Sequence, residues 1–177
     1  MNTIEIKANS LDDIRRATNR LARKIGAGPS LLPTYASSDH SGRPHFEFDG
    51  EAYYYVICER GEEYDRKRTL DPKEVLLWAF DSVTSNLAFA FELENRVSRQ
   101  DSRRIAFAKQ IELLEILDES WAKAVSEQHL WILAEHPFDD LASVRATRTR
   151  ELREAGSSDD EAWRIACSDY PLPSGAA

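Results

Sequence analysis

The stretch His45-Phe-Glu-Phe-Asp-Gly-Glu-Ala-Tyr-Tyr-Tyr-Val-Ile-Cys-Glu59 decides the fold. Its opening residues alternate strictly, the period of a half-buried strand. Asp49-Gly50 then stands between two such runs, a sequence that favours the tight turn of a hairpin. In the second run both faces are apolar, with Ala52, Tyr54, Val56 and Cys58 on one and Tyr53, Tyr55 and Ile57 on the other. A strand covered on both sides is central to its sheet. The next segment, Tyr64-Asp-Arg-Lys-Arg-Thr69, is heavily charged. As a third strand it is an edge, where charge discourages pairing with other chains. The expectation is a small antiparallel meander.

On the C-terminal side the pattern turns helical. Asp71-Pro-Lys-Glu74 puts a capping carboxylate, a proline at N1 and a glutamate at N3 before a run reaching about residue 96. Leu76, Phe80, Val83, Leu87 and Phe91 form one stripe, and Val75, Ala79, Phe89 and Leu93 widen it. A helix apolar round most of its circumference is expected at the centre of the core. Further helices are expected over 101–117, 121–135, 141–154 and 159–169. His136-Pro137 stops the second of these, and Ser158-Asp-Asp-Glu161 caps the last.

On the N-terminal side Ser10 caps a helix over 11–25 whose Leu11, Ile14, Leu21 and Ile25 share a face, with Gly26 as its C′ residue. Residues 26–44 are rich in glycine, proline and serine. That is long for a structureless loop and implies a short strand or turn whose position the sequence leaves open. The expected class is α+β, in one domain over 1–177. It has an N-terminal helix, the small meander, a mostly helical C-terminal half round one long central helix, and a flexible tail over 171–177.

Composition narrows the function. The chain has 177 residues, 42% hydrophobic and 31% charged, and carries 31 acidic against 23 basic side chains for a net charge of −8. Nucleic-acid phosphates and anionic membranes both require a basic surface, so neither is an expected partner. Acidity grows along the chain, from six acidic and seven basic groups in 1–50 to fifteen and nine in 101–177. Two cysteines form no disulfide framework. The N-terminus lacks the apolar core of a secretory signal, and the charge-free stretch 82–91 is too short to span a bilayer. The expected location is cytoplasmic.

No glycine-rich phosphate loop, nucleophile elbow, His-Glu-x-x-His or paired CxxC is present. His40, His45, His129 and His136 have no recognised ligand spacing, so no metal and no cofactor is expected. Cys58 and Cys167 read as small buried hydrophobes. Glu92-Leu-Glu94-Asn-Arg96 offers two carboxylates beside a cation. Buried with a raised pKa they would suit acid–base work in a small enzyme; otherwise they form a helix end or an ion pair. Tyr53 and Tyr55 share a face and are either interface anchors or the backing of the sheet. Glu59, Glu62, Glu63 and Asp65 gather at a strand end and its turn, a solvated turn or a contact for a basic partner.

Longer words of the sequence carry a family resemblance. Tyr53-Tyr-Tyr-Val-Ile-Cys-Glu-Arg-Gly-Glu-Glu63, Leu76-Leu-Trp-Ala-Phe-Asp-Ser-Val-Thr84 and Phe89-Ala-Phe-Glu-Leu-Glu-Asn-Arg96 resemble the immunity protein 63 family of bacterial polymorphic toxin systems. Lys109-Gln-Ile-Glu-Leu-Leu114 and Glu135-His-Pro-Phe-Asp-Asp140 continue the similarity in order, over roughly 34–140. The resemblance implies an antidote that binds a toxin domain without turnover, and it carries no catalytic residue. A basic toxin such as a nuclease would suit a chain of charge −8, because complementary fields raise association rates. Glu59, Glu62, Glu63 and Asp65, with Tyr53 and Tyr55, are then the candidate toxin contacts. The alternatives are an enzyme built on Glu92, Glu94 and Arg96, and an oligomeric scaffold or regulatory module.

Overall fold

A computed structural model describes residues 3–173; positions 174–177, the end of the expected tail, lie outside the described residues. The chain is α+β, and it forms two compact units. One comprises Met1–Leu87 with Gln110–Val125, the other Ala88–Lys109 with Ser126–Ala177.

The first unit opens with α1 (Leu11–Lys24). Ser10 Oγ accepts the Asp13 N–H, and the Asp13 carboxylate accepts in return the Ser10 hydroxyl at 2.7 Å and the Asn9 N–H at 3.1 Å. At the other end Gly26 takes φ +69°, so that the Ala27 N–H reaches back to the Ala22 carbonyl. A left-handed residue there satisfies carbonyls that the helix leaves open.

A four-stranded sheet follows: β1 (Thr34–Tyr35), β2 (Ser41–Phe48), β3 (Tyr53–Glu59) and β4 (Glu62–Thr69), in that spatial order. As expected, the strand apolar on both faces is interior and the charged one lies at the edge. The sheet is mixed rather than purely antiparallel, because β1 pairs parallel to β2 through Thr34–His45 and Tyr35–Phe46. That strand is part of the 26–44 segment. Arg43 of β2 binds this segment back, donating to the carbonyls of Leu32 at 2.6 Å and Pro29 at 2.7 Å. Ala36 and His40 take positive φ as the chain reverses between β1 and β2.

Helices α2 (Pro72–Glu94), α3 (Ser102–Leu117) and α4 (Glu119–Glu135) each contribute part of their length to this unit. Its core joins Ile14 and Leu21 of α1, Phe46, Tyr53 and Tyr55 of the sheet, and Val75, Leu76, Phe80 and Val83 of α2. Leu114, Leu117, Trp121 and Val125 complete it. The Asp118 side chain, fully buried between α3 and α4, gathers donors from three places. Its carboxylate accepts the Ile4 N–H and the Lys73 ammonium, both at 2.8 Å, and it caps α4 through the Ser120 N–H at 2.9 Å.

In the second unit the remainder of α2 differs from the sequence expectation of a uniformly central helix. Ala88 and Glu92 are buried there, while Phe89, Phe91 and Leu93 are exposed. The apolar circumference of α2 is wider than the interior beside this part of it. Helices α5 (Ala142–Glu154) and α6 (Asp159–Asp169) form a hairpin, with Gly156 at φ +100° between them and Ser158 accepting the Glu161 N–H. Its buried residues are small or polar: Ala162, Ala166, Thr149 and Arg145. Arg145, 2% exposed, donates to both Asp139 oxygens and to the carbonyls of Tyr170 and Pro171. Asp101 binds the Asp139 N–H and the Arg103 guanidinium. This ionic lattice ties the start of α3 to the 136–141 turn and to the end of α6.

Candidate functional site

The β3–β4 turn is a two-residue loop in which Arg60 and Gly61 take φ +53° and +89°, opposite the Glu59–Glu62 pair. Positive φ at both central positions matches the twist of the flanking strands. Glu62 and Glu63 are exposed and Glu59 and Asp65 half-buried, so the four acidic candidates do gather at this end of the sheet.

Basic side chains are interleaved with them. Arg60 lies 3.5 Å from Glu59, and Lys67 lies 4.0 Å from Asp65. Arg66 donates to Glu63 at 2.9 and 2.7 Å and to Glu47 at 2.7 Å. Its hydrogen bonds hold the Glu63 carboxyl below the usual carboxylate range. They do the same for Glu47 against the opposing effect of burial. Because Arg66 is on β4 and Glu47 on β2, the guanidinium crosses β3, where it lies 5.4 Å from the Tyr54 ring centre. On this face Thr34, His45, Val56 and Arg66 form one cross-strand row, and Val56 and His45 are buried. His45 Nε2 is 2.9 Å from Glu47 Oε1.

Tyr53 and Tyr55 point to the other face, each 3% exposed, as the backing of the sheet. The Tyr53 hydroxyl donates to the Ala8 carbonyl at 2.7 Å and its ring stacks on Phe48; burial pushes the Tyr55 hydroxyl up to about 12. The tyrosines of this region that reach solvent are Tyr64, which is exposed, and Tyr54, which is half-buried and donates to Asp49. Which face of the sheet meets the helices was open in the sequence, because both faces of β3 are apolar.

The Glu92 cluster is an ion pair. Arg96 Nε and Nη2 donate to the two Glu92 oxygens at 2.9 and 2.8 Å, and those bonds lower the Glu92 pKa. General acid work needs the opposite shift. Glu94 is exposed. Burial raises a different carboxyl, that of Asp81, which accepts from Gln110 at 2.8 Å. Only a three-dimensional partner from α3 distinguishes it from an exposed helical aspartate. His129, whose pKa burial lowers, stacks on Phe107 at 3.8 Å. Among the described residues no group of three or more His, Cys, Asp or Glu is placed to hold a metal ion, and no helix is long and apolar enough to cross a membrane.

Residues 49–130 match the family model of immunity protein 63. The match supports the family read from the sequence and runs from the β2–β3 turn through β3, β4, α2 and α3 into α4. No curated protein and no solved structure matches the chain.

Proposed function

We propose that this chain is a cytoplasmic bacterial antidote that binds a cognate toxin domain and neutralises it by direct protein–protein inhibition, without turnover or cofactor. The observation that carries the reading is the match of residues 49–130 to the immunity protein 63 family. The charge of −8 supports a basic toxin, such as a nuclease, because opposite fields steer encounter. Stable neutralisation needs an interface of about 1,600 Å² in total with a few buried anchors.

The proposed contacts are Glu59, Glu62, Glu63 and Asp65 at the β3–β4 turn. Tyr53 and Tyr55 serve from behind, by fixing the strand that presents them. Glu62 and Glu63 are both exposed at this turn. The test is stopped-flow association with the cognate toxin domain, at low salt, for the chain and for E62K/E63K. The reading expects a severalfold slower association for the double variant, with the difference shrinking as salt rises. Equal rates would remove the turn from the interface, and absence of any complex with the unaltered chain would remove the function.

A further inference from the structure

The sheet ends on two unlike edges. β1 is two residues long, whereas β4 spans eight, about 26 Å at the usual rise of a strand. β4 pairs with β3 on one side, no strand lies along its other side among the described residues, and six of its eight residues are exposed. Such an edge presents a row of unpaired backbone N–H and C=O groups, a template for one more strand. Charges and a bulge ordinarily guard an edge, and β4 has both: Tyr64 has no opposite number in the β3–β4 register. The order of the charges sets this edge apart. Glu62, Glu63 and Asp65 come first and Arg66, Lys67 and Arg68 follow, so the strand is neutral in sum although the chain carries −8. A guard of one sign repels every incoming copy. A strand acidic in its first half and basic in its second repels a parallel copy and attracts an antiparallel one. A foreign strand of a single sign meets its own sign over half of this edge.

We infer that β4 pairs antiparallel with β4 of a second copy of this chain across a two-fold axis, joining two four-stranded sheets into one. The faces agree with this. Asp65 and Lys67 stand opposite Ile57 and Tyr55 on one face of the sheet, and Glu63, Arg66 and Arg68 stand opposite Cys58, Val56 and Tyr54 on the other. In a register centred on Arg66, Asp65 opposes Lys67 of the second copy, and Glu63, past the bulge, opposes Arg68 on its own face. The two Arg66 guanidinium groups meet at the axis with their charge already balanced, each bonded to Glu47 and Glu63 at 2.7 Å. Lys67 and Arg68 are less committed: their own-chain carboxylates, Asp65 and Glu51, are 4.0 and 3.9 Å away. The inference goes beyond the proposed function and stands without it. The two meet at Glu63 and Asp65, which a second copy covers in part.

The experiment is sedimentation equilibrium of the full chain, of E63K, of R68E and of an equimolar mixture of those two variants, with far-UV circular dichroism to show that each stays folded. The parent chain is expected to dimerise below about 100 μM. Each variant sets two pairs of like charge across the axis and weakens its own dimer about tenfold. In the mixture each reversed charge faces the other, both pairs are again of opposite sign, and a heterodimer regains most of the parent affinity. A parent chain that is monomeric at that concentration overturns the inference. So does a dimer that both variants leave intact, which puts the contact elsewhere, and so does a mixture that associates no better than its components.

Discussion

Asp118 is the residue whose loss tests the packing account most sharply. Its side chain is fully buried, and it holds Lys73 at 2.8 Å and the Ile4 N–H at 2.8 Å while capping α4. Burial disfavours its charge, but the hydrogen bonds from Lys73, Ser120 and Ile4 outweigh that and keep its pKa below the ordinary value. Asp118→Asn keeps a cap acceptor and removes the charge. Breaking one partner from a buried pair costs about 3–5 kcal/mol. The Lys73 side chain is 24% exposed and regains part of its hydration, which puts the expected loss near the lower end, about 3 kcal/mol. Asp118→Ala loses the cap as well, about 1 kcal/mol more. Urea unfolding followed by tryptophan fluorescence reads both, since Trp121 stacks on Phe80 beside this junction. With a slope of about 2 kcal/mol per molar urea, the midpoint of the asparagine variant falls by roughly 1.5 M. A loss under about 0.5 kcal/mol would refute the view that Asp118 holds the N-terminal segment, α2 and α4 together.

Other outcomes follow from the same physics. Arg145→Lys is expected to destabilise the second unit by about 3 kcal/mol, because an ammonium cannot reproduce the guanidinium fork on Asp139 and two carbonyls; thermal denaturation of the full chain checks it. Asp101 is buried, which acts against its charge, yet Arg103 and the amides of Asp139 and Arg103 hold it at about 2 against an ordinary 3.8. A depressed folded value stabilises fully above the unfolded one. About 2 kcal/mol is therefore expected to fade as pH falls from about 4 to about 2, and Asp101→Asn to flatten that part of an acid titration of stability. Gly50→Ala meets nothing within 4 Å, so any loss comes from its φ of +98° alone; about 1–2 kcal/mol is expected by chemical denaturation.

What the sequence discloses is what short-range chemistry decides. Ser10 and Ser158 cap their helices through residues three positions on, so a local reading finds them. The charged β4 at the edge and the apolar β3 inside the sheet follow from composition alone. Non-local pairing is hidden. Two residues suffice for β1, and its parallel partner is selected by Arg43 gripping a loop eleven and fourteen positions earlier. Asp101 and Asp139 meet across 38 positions, with nothing in either segment to announce the other. Asp118 carried a local signal, an aspartate just before Glu119-Ser120, but a single residue separates α3 from α4 and the helical start reads later than it is. At the candidate site the acidic turn is visible in the sequence, whereas its interleaving with Arg66 depends on Glu47 from another strand.

The central claim is that this chain acts by occupying another protein. Mixing it in purified form with its proposed toxin partner, and measuring toxin activity against the molar ratio, tests that most directly. The account predicts stoichiometric loss of activity with a 1:1 complex and the toxin recoverable unmodified. Continued toxin activity at saturating antidote, or inhibition by substoichiometric amounts through chemical change of the toxin, would contradict it.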